Sequence, residues 1–195
     1  MHRLLAPLAL LQLAVFATPV LAHSSVDIGG GFAAGLMHPV LGWDHVAAMV
    51  AVGLWGAFLG NPALWLLPVI FPLVMAVGGV LGLAGVALPA VEIGIAVSAL
   101  VLGILILLAV RLPLWLAGTI VGAFAIFHGH AHGTELPHAA SPLAYSLGFV
   151  ISTGLLHLAG IAFGLLTASH LGRQLVRGLG GVIAAAGTLF LIQAL

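Results

Sequence analysis

The sequence predicts an all-α, polytopic membrane protein: a bundle of six transmembrane helices following a cleaved signal peptide. Three observations carry this expectation. Hydrophobic residues make up 63% of the 195-residue chain and charged residues only 4%, against about 25% charged in soluble domains. Such a chain cannot cover its surface with polar groups in water, so its solvent is lipid. The apolar residues fall into six stretches, each near the roughly 20 residues that a helix needs to cross a bilayer. Proline, glycine and arginine collect at the breaks between them, where a helix is least able to continue.

The first 22 residues have the layout of a signal peptide. Arg3 supplies a positive start, Leu4 to Phe16 are almost wholly apolar, and Pro19 breaks the run before Val20-Leu21-Ala22, an acceptable cleavage pattern. An uncleaved first helix is the alternative. Cleavage leaves residues 23–195 as a single membrane domain with His23 at its outer N-terminus. The stretch from Gly31 to Gly60 is too long for one untilted span, and Pro39 and Gly42 interrupt it. The residue before a proline is pushed away from helical geometry. A short interfacial or re-entrant helix is therefore expected over 26–37, a break from His38 to Gly42, and the first full span over 42–60. Irregular backbone at membrane depth is tolerated only where protein or a watery cavity covers it, which makes this break a candidate site lining.

The later spans are expected at 62–84, 90–110, 112–133, 142–168 and 174–194. Asn61-Pro62, Gly85 to Pro89, Arg111 with Pro113, Pro137 to Pro142, and Ser169 to Arg173 separate them. Short loops predict that sequential helices are mostly antiparallel neighbours. With the mature N-terminus outside, Arg111, Arg173 and Arg177 all fall on the cytoplasmic side, as the positive-inside rule requires. The expected location is the bacterial inner membrane, multi-pass, with a periplasmic N-terminus.

Zero net charge and the absence of lysine give no support to a nucleic-acid-binding surface. Cysteine is also absent, which excludes disulfides and thiolate metal sites. Histidine occurs ten times and outnumbers every charged residue type. Two segments concentrate the polar atoms: His38-Pro-Val-Leu-Gly-Trp-Asp44-His45, and Phe127-His128-Gly-His130-Ala-His132-Gly-Thr-Glu135. Ionisable groups in a membrane are costly, so each is a functional candidate.

On a helix His128 and His132 are one turn apart, and Glu135 extends the same stripe. Two imidazoles at that spacing can share one metal ion, as in HExxH helices, but the intervening glutamate is missing and a zinc-protease reading fails. His130 points to the opposite side. Gly129 and Gly133 would let another helix approach closely. Asp44 and His45 belong to the opening turn of the first span, with Asp44 against the positive helix end, and His38 would hang at the same depth. The expected metal site is thus His38, Asp44 and His45 facing His128, His132 and Glu135, between the first and fourth spans. Imidazole and carboxylate without thiolate suit Ni(II), Co(II) or Zn(II). Metal requires neutral imidazole, so affinity weakens as pH falls, and histidine can also relay protons near neutral pH.

His157, midway along the fifth span, is either a deeper metal ligand or a histidine bonded to a backbone carbonyl. Glu92 is either an interfacial residue or a ligand or proton carrier. His23, His130 and His138 are expected to be exposed, and His170 to lie in a cytoplasmic loop.

The two segments resemble the signatures of the HupE/UreJ family of bacterial membrane proteins. That family shows a histidine, five residues, then Asp-His, matched by His38, Asp44 and His45. It also shows Phe-His-Gly-x-Ala-His-Gly-x-Glu, matched by Phe127, His128, Gly129, Ala131, His132, Gly133 and Glu135. The resemblance extends along essentially the whole chain and implies a metal permease, with nickel first and cobalt second. Residue chemistry alone does not choose nickel. No enzymatic activity and no prosthetic group are expected, the ion being cargo. One alternative is a non-transporting accessory protein that delivers metal to hydrogenase or urease maturation proteins. Another is an intramembrane metal-dependent hydrolase using a bound water, for which the sequence offers no catalytic signature beyond the ligands.

Overall fold

The computed structural model describes residues 31–134, 136 and 141–195. The expected signal peptide, His23, Glu135 and His138 lie outside the described residues. Among the described residues the chain forms seven α helices and no strand. They are α1 (Gly31–Leu41), α2 (Trp43–Leu59), α3 (Ala63–Leu83), α4 (Val91–Leu107), α5 (Leu114–Thr134), α6 (Pro142–Gly164) and α7 (His170–Ala194), with a 3-10 turn (Leu165–Ala168) between the last two. By length and composition α3, α5, α6 with its 3-10 extension, and α7 are long and apolar enough to cross a membrane. Helices α2 and α4 have 17 residues each, and α1 with α2 makes a pair bent by 79°.

That bend corrects one expectation. The break foreseen from His38 to Gly42 is confined to Gly42, which is extended at φ −92° and ψ 107°. Helix α1 continues through His38 and Pro39 to Leu41. Proline removes one helical hydrogen bond but holds φ in the helical range. The chain therefore turns at the glycine, the residue with most to lose by being fixed in a helix.

The other ends follow from local chemistry. Gly60, at φ +83°, closes α2 by donating its amide to the Gly56 and Ala57 carbonyls. Ser141 precedes Pro142 and accepts from the Ala144 amide, capping α6. Ser169 accepts from the Gly172 amide at 2.9 Å, so α7 starts earlier than expected. His170 and Arg173 consequently sit in its first turn, not in a loop.

Helix α2 is the centre of the bundle. Ala48, Met49, Ala51, Val52, Leu54 and Trp55 are wholly buried along it, and it touches α3, α4, α6 and α7. The most intimate pairs are α3 with α5, α4 with α7, and α6 with both α1 and α2. Chain neighbours are thus not the closest partners, contrary to the expectation drawn from short loops. Glycine decides the pairing. Gly129 and Gly133 lie against the backbone of Met75 and Gly79, while Gly78 and Gly82 receive the backbone of Ile126 and His130. Gly103, Gly180 and Gly187 do the same for α4 and α7, and Gly53 and Gly160 for α2 and α6. Lipid tails are as apolar as leucine, so close backbone approach selects partners where hydrophobicity cannot.

Large apolar side chains such as Leu73, Val77, Leu155, Leu158, Val182 and Ile192 are exposed on the outside of the bundle, a surface suited to lipid and not to water. The arginines among the described residues gather at one end. Arg177 Nε donates to the Leu107 carbonyl at 2.8 Å, Arg111 stands 5.1 Å over the Phe58 ring, and Arg173 donates to the Thr167 carbonyl at 3.2 Å. The exposed Trp65 and Trp115 open α3 and α5 at this same end, where interfacial tryptophans belong.

Candidate metal centre

His38, His45, His128, His130 and His132 occupy the other end. There the last turn of α1, the first turn of α2, the last turns of α5 and the first turns of α6 converge. Asp44 opens α2, where a negative charge meets the positive helix end. Its Oδ1 accepts the backbone amide of His45 at 2.8 Å and lies 2.8 Å from His45 Nδ1. A carboxylate so placed holds the proton on Nδ1 and leaves Nε2 to carry the ring's lone pair, the arrangement common among metal-ligating histidines.

The His45 ring is 4.9 Å from that of His128 and 4.6 Å from that of His132. His38 lies 4.8 Å from His132 and 6.3 Å from His45. With metal–nitrogen distances of about 2.0–2.1 Å, two imidazoles on one ion hold their ring centres about 4.5–5 Å apart. The closest of these spacings match that requirement. The rings stand edge to face or tilted, however, and among the described residues no three donors converge on one point at ligating distance. Side-chain rotation is needed to place three nitrogens on one ion.

Aromatic side chains wall the cluster. Phe149 is 4.3 Å from His132 and Tyr145 is 6.0 Å from His38. On its inner side the buried Phe71 separates His128, at 5.5 Å, from His157, at 5.4 Å. His157 therefore does not join the four imidazoles. It turns toward the Pro68 carbonyl at a geometry short of a full hydrogen bond. That carbonyl lacks its helical partner because Pro72, four residues on, has no amide to give. Thr153 lies one turn earlier on α6 and is fully buried.

Glu92 is exposed in the first turn of α4 and does not join the imidazoles among the described contacts. His130 corrects another expectation: it is buried, not exposed, with Nε2 2.7 Å from the Val86 carbonyl. It does face away from the cluster, and it pins the connection between α3 and α4. Replacing His130 by alanine should cost about 0.5–1.5 kcal/mol, the net worth of a typical hydrogen bond. Thermal unfolding in detergent should register that loss while metal binding is retained.

Sequence reasoning missed Phe71, Phe149, Tyr145 and Ser98. Aromatic residues in apolar spans carry no distinguishing signal. Ser98 had one, being the single hydroxyl in α4.

Several buried atoms in this region have no protein partner: His128 Nδ1, both ring nitrogens of His132 and His157, and Thr153 Oγ1. A buried polar atom left without a partner costs about 1–3 kcal/mol. Groups retained at that cost are suited to a guest that accepts lone pairs, as a cation does. The HupE / UreJ protein family model matches residues 11–190. The chain belongs to the HupE/UreJ family. Protein HupE of Rhizobium leguminosarum bv. viciae is 44% identical over 181 residues, covering 92% of this chain and 95% of that protein. No solved structure matches. Of the HupE/UreJ-like motif residues, the fold brings His38, Asp44, His45, His128 and His132 together, and Glu135 lies outside the described residues.

Proposed function

We propose that this HupE/UreJ protein is an inner-membrane permease for a divalent transition metal, with nickel first, cobalt second and zinc third. The observation that supports it best is the buried imidazole cluster beside a single carboxylate at one end of an apolar helix bundle. His157 and Thr153, buried deeper in the same bundle, add a place for the ion to go. A protein that only stores or hands over metal has no need of them.

In this account α2 to α7 are six spans, α1 is re-entrant, and the signal peptide is removed. The arginine end faces the cytoplasm, so the histidine end faces the periplasm. His38 and His45 exchange their nitrogens for waters of the arriving ion, and Asp44 offsets part of its charge. His128 and His132 complete the capture together with Glu135, the residue that follows α5 in the sequence. The ion then passes Phe71 toward His157 and leaves between α3 and α6.

Only neutral imidazole binds metal, so protons compete with the ion. Apparent affinity should fall by about tenfold per pH unit for each proton displaced, once the pH is low enough to protonate the ligands. Co(II) titration of the purified protein, followed by visible absorption between pH 8 and pH 5, measures this. An affinity that rises as the pH falls would contradict histidine ligation.

Accumulation of nickel, cobalt and zinc, compared side by side in cells at limiting supply, tests the permease reading. Nickel should accumulate most. Preference for zinc would change the cargo, and no accumulation of any of the three with the protein present in the membrane would refute transport. The accessory alternative, delivery to hydrogenase or urease maturation proteins, uses the same cluster and predicts binding without flux.

A further inference from the structure

We propose that Ser98 fixes the tautomer of His128 and so selects Nδ1 as the nitrogen that meets the metal. The proposal rests on the metal reading above. Ser98 is wholly buried on α4, a helix that contributes no ring to the cluster. Its Oγ lies 2.6 Å from the Ile95 carbonyl and 2.9 Å from His128 Nε2. A serine hydroxyl has one hydrogen, and a carbonyl oxygen can only accept. The shorter contact, to Ile95, takes that hydrogen. Toward His128 the serine oxygen can then only accept, so Nε2 must carry the ring proton and donate it.

A neutral imidazole has one N–H and one lone pair. With the proton held at Nε2, the lone pair is at Nδ1, which is buried and has no protein partner. The opposite tautomer would bury an N–H at Nδ1 with nothing in the protein to receive it. Both ends of the ring thus favour the same form. His45 is set the other way, since Asp44 holds its Nδ1 and turns Nε2 into the lone-pair nitrogen. The two rings, 4.9 Å apart, thus carry their lone pairs on different nitrogens. Ser98 is therefore a positioning residue that spares His128 a proton rearrangement when metal arrives.

The test uses the full-length protein, labelled with 15N-histidine, as wild type, Ser98→Ala and Ser98→Thr. Nitrogen NMR should show His128 protonated at Nε2 in the wild type, with its signals assigned by their loss in His128→Asn. Ser98→Ala should give a mixture of tautomers and weaken Co(II) binding by about 10–100-fold, the usual effect of removing a group that orients a metal ligand. Ser98→Thr keeps the hydroxyl and should restore both. A wild-type His128 protonated at Nδ1 would overturn the proposal without any variant. So would Ser98→Ala with an unchanged tautomer, whatever its affinity. If the wild type shows the Nε2–H form yet binds neither Co(II) nor Ni(II), the metal reading fails and the tautomer assignment stands.

Discussion

Replacing His132 by alanine should remove metal binding and uptake together while leaving the protein in the membrane. Its ring is the hub of the cluster, 4.8 Å from His38, 4.6 Å from His45 and 4.3 Å from Phe149. Without it His38 and His45 remain 6.3 Å apart with no imidazole between them. Structural zinc sites in zinc-finger peptides bind with about 10–16 kcal/mol over four ligands, and on that scale losing one imidazole should weaken affinity by about 100- to 1000-fold. Folding should not suffer. Both His132 nitrogens lack a protein partner, and alanine takes that unmet demand away. Co(II) titration, nickel accumulation and the membrane level by immunoblot check the three parts separately. Undiminished binding would remove His132 from the site.

Replacing Gly129 by leucine should have the opposite character, with loss of the folded bundle itself. A Cβ at this position would sit within the backbone of Met75 and Gly79. Nothing flexible can yield there, so α3 and α5 must separate, and α5 carries His128 and His132 out of register. The cost should be about 3 kcal/mol or more, at the upper end for overpacking a closely packed contact. Gly154→Leu is the control, since nothing lies within 4 Å of a Cβ built at Gly154. Thermal unfolding in detergent and steady-state membrane levels should collapse for the first variant and stay near wild type for the second. Equal tolerance would mean that glycine contact does not hold α3 to α5.

Much of this architecture was legible in the sequence because lipid imposes one simple rule on the chain. Backbone polar groups must be satisfied within each helix, so apolar stretches between Pro and Gly breaks convert directly into helices. The expected 62–84 and 112–133 became Ala63–Leu83 and Leu114–Thr134. The one-turn spacing of His128 and His132 likewise survived, as did the small-residue face of Gly129 and Gly133.

What the sequence did not carry was lateral. Loop length suggested that neighbours in the chain pair, whereas α3 takes α5 and α4 takes α7 through glycines that sit far apart in sequence. Pro39 suggested a break at His38, yet the helix persists to Leu41 because proline keeps a helical φ. His130 was expected in water because the helix stripe excluded it from the cluster. Its partner, the Val86 carbonyl, lies 44 residues away. Ser98 stood out as the single hydroxyl in α4, but its partner did not, being a ring 30 residues away.

Transport is the central claim, and flux across a closed bilayer tests it most directly. Purified protein in liposomes, with a metal-sensitive dye inside and Ni(II) added outside, should show saturable entry with the wild type. Entry should fall to the protein-free rate with His132→Ala, and it should slow as the outer pH is lowered. Stoichiometric Ni(II) binding by the same wild-type preparation, with no entry above protein-free vesicles, would contradict the permease and leave a metal-carrying accessory protein in its place.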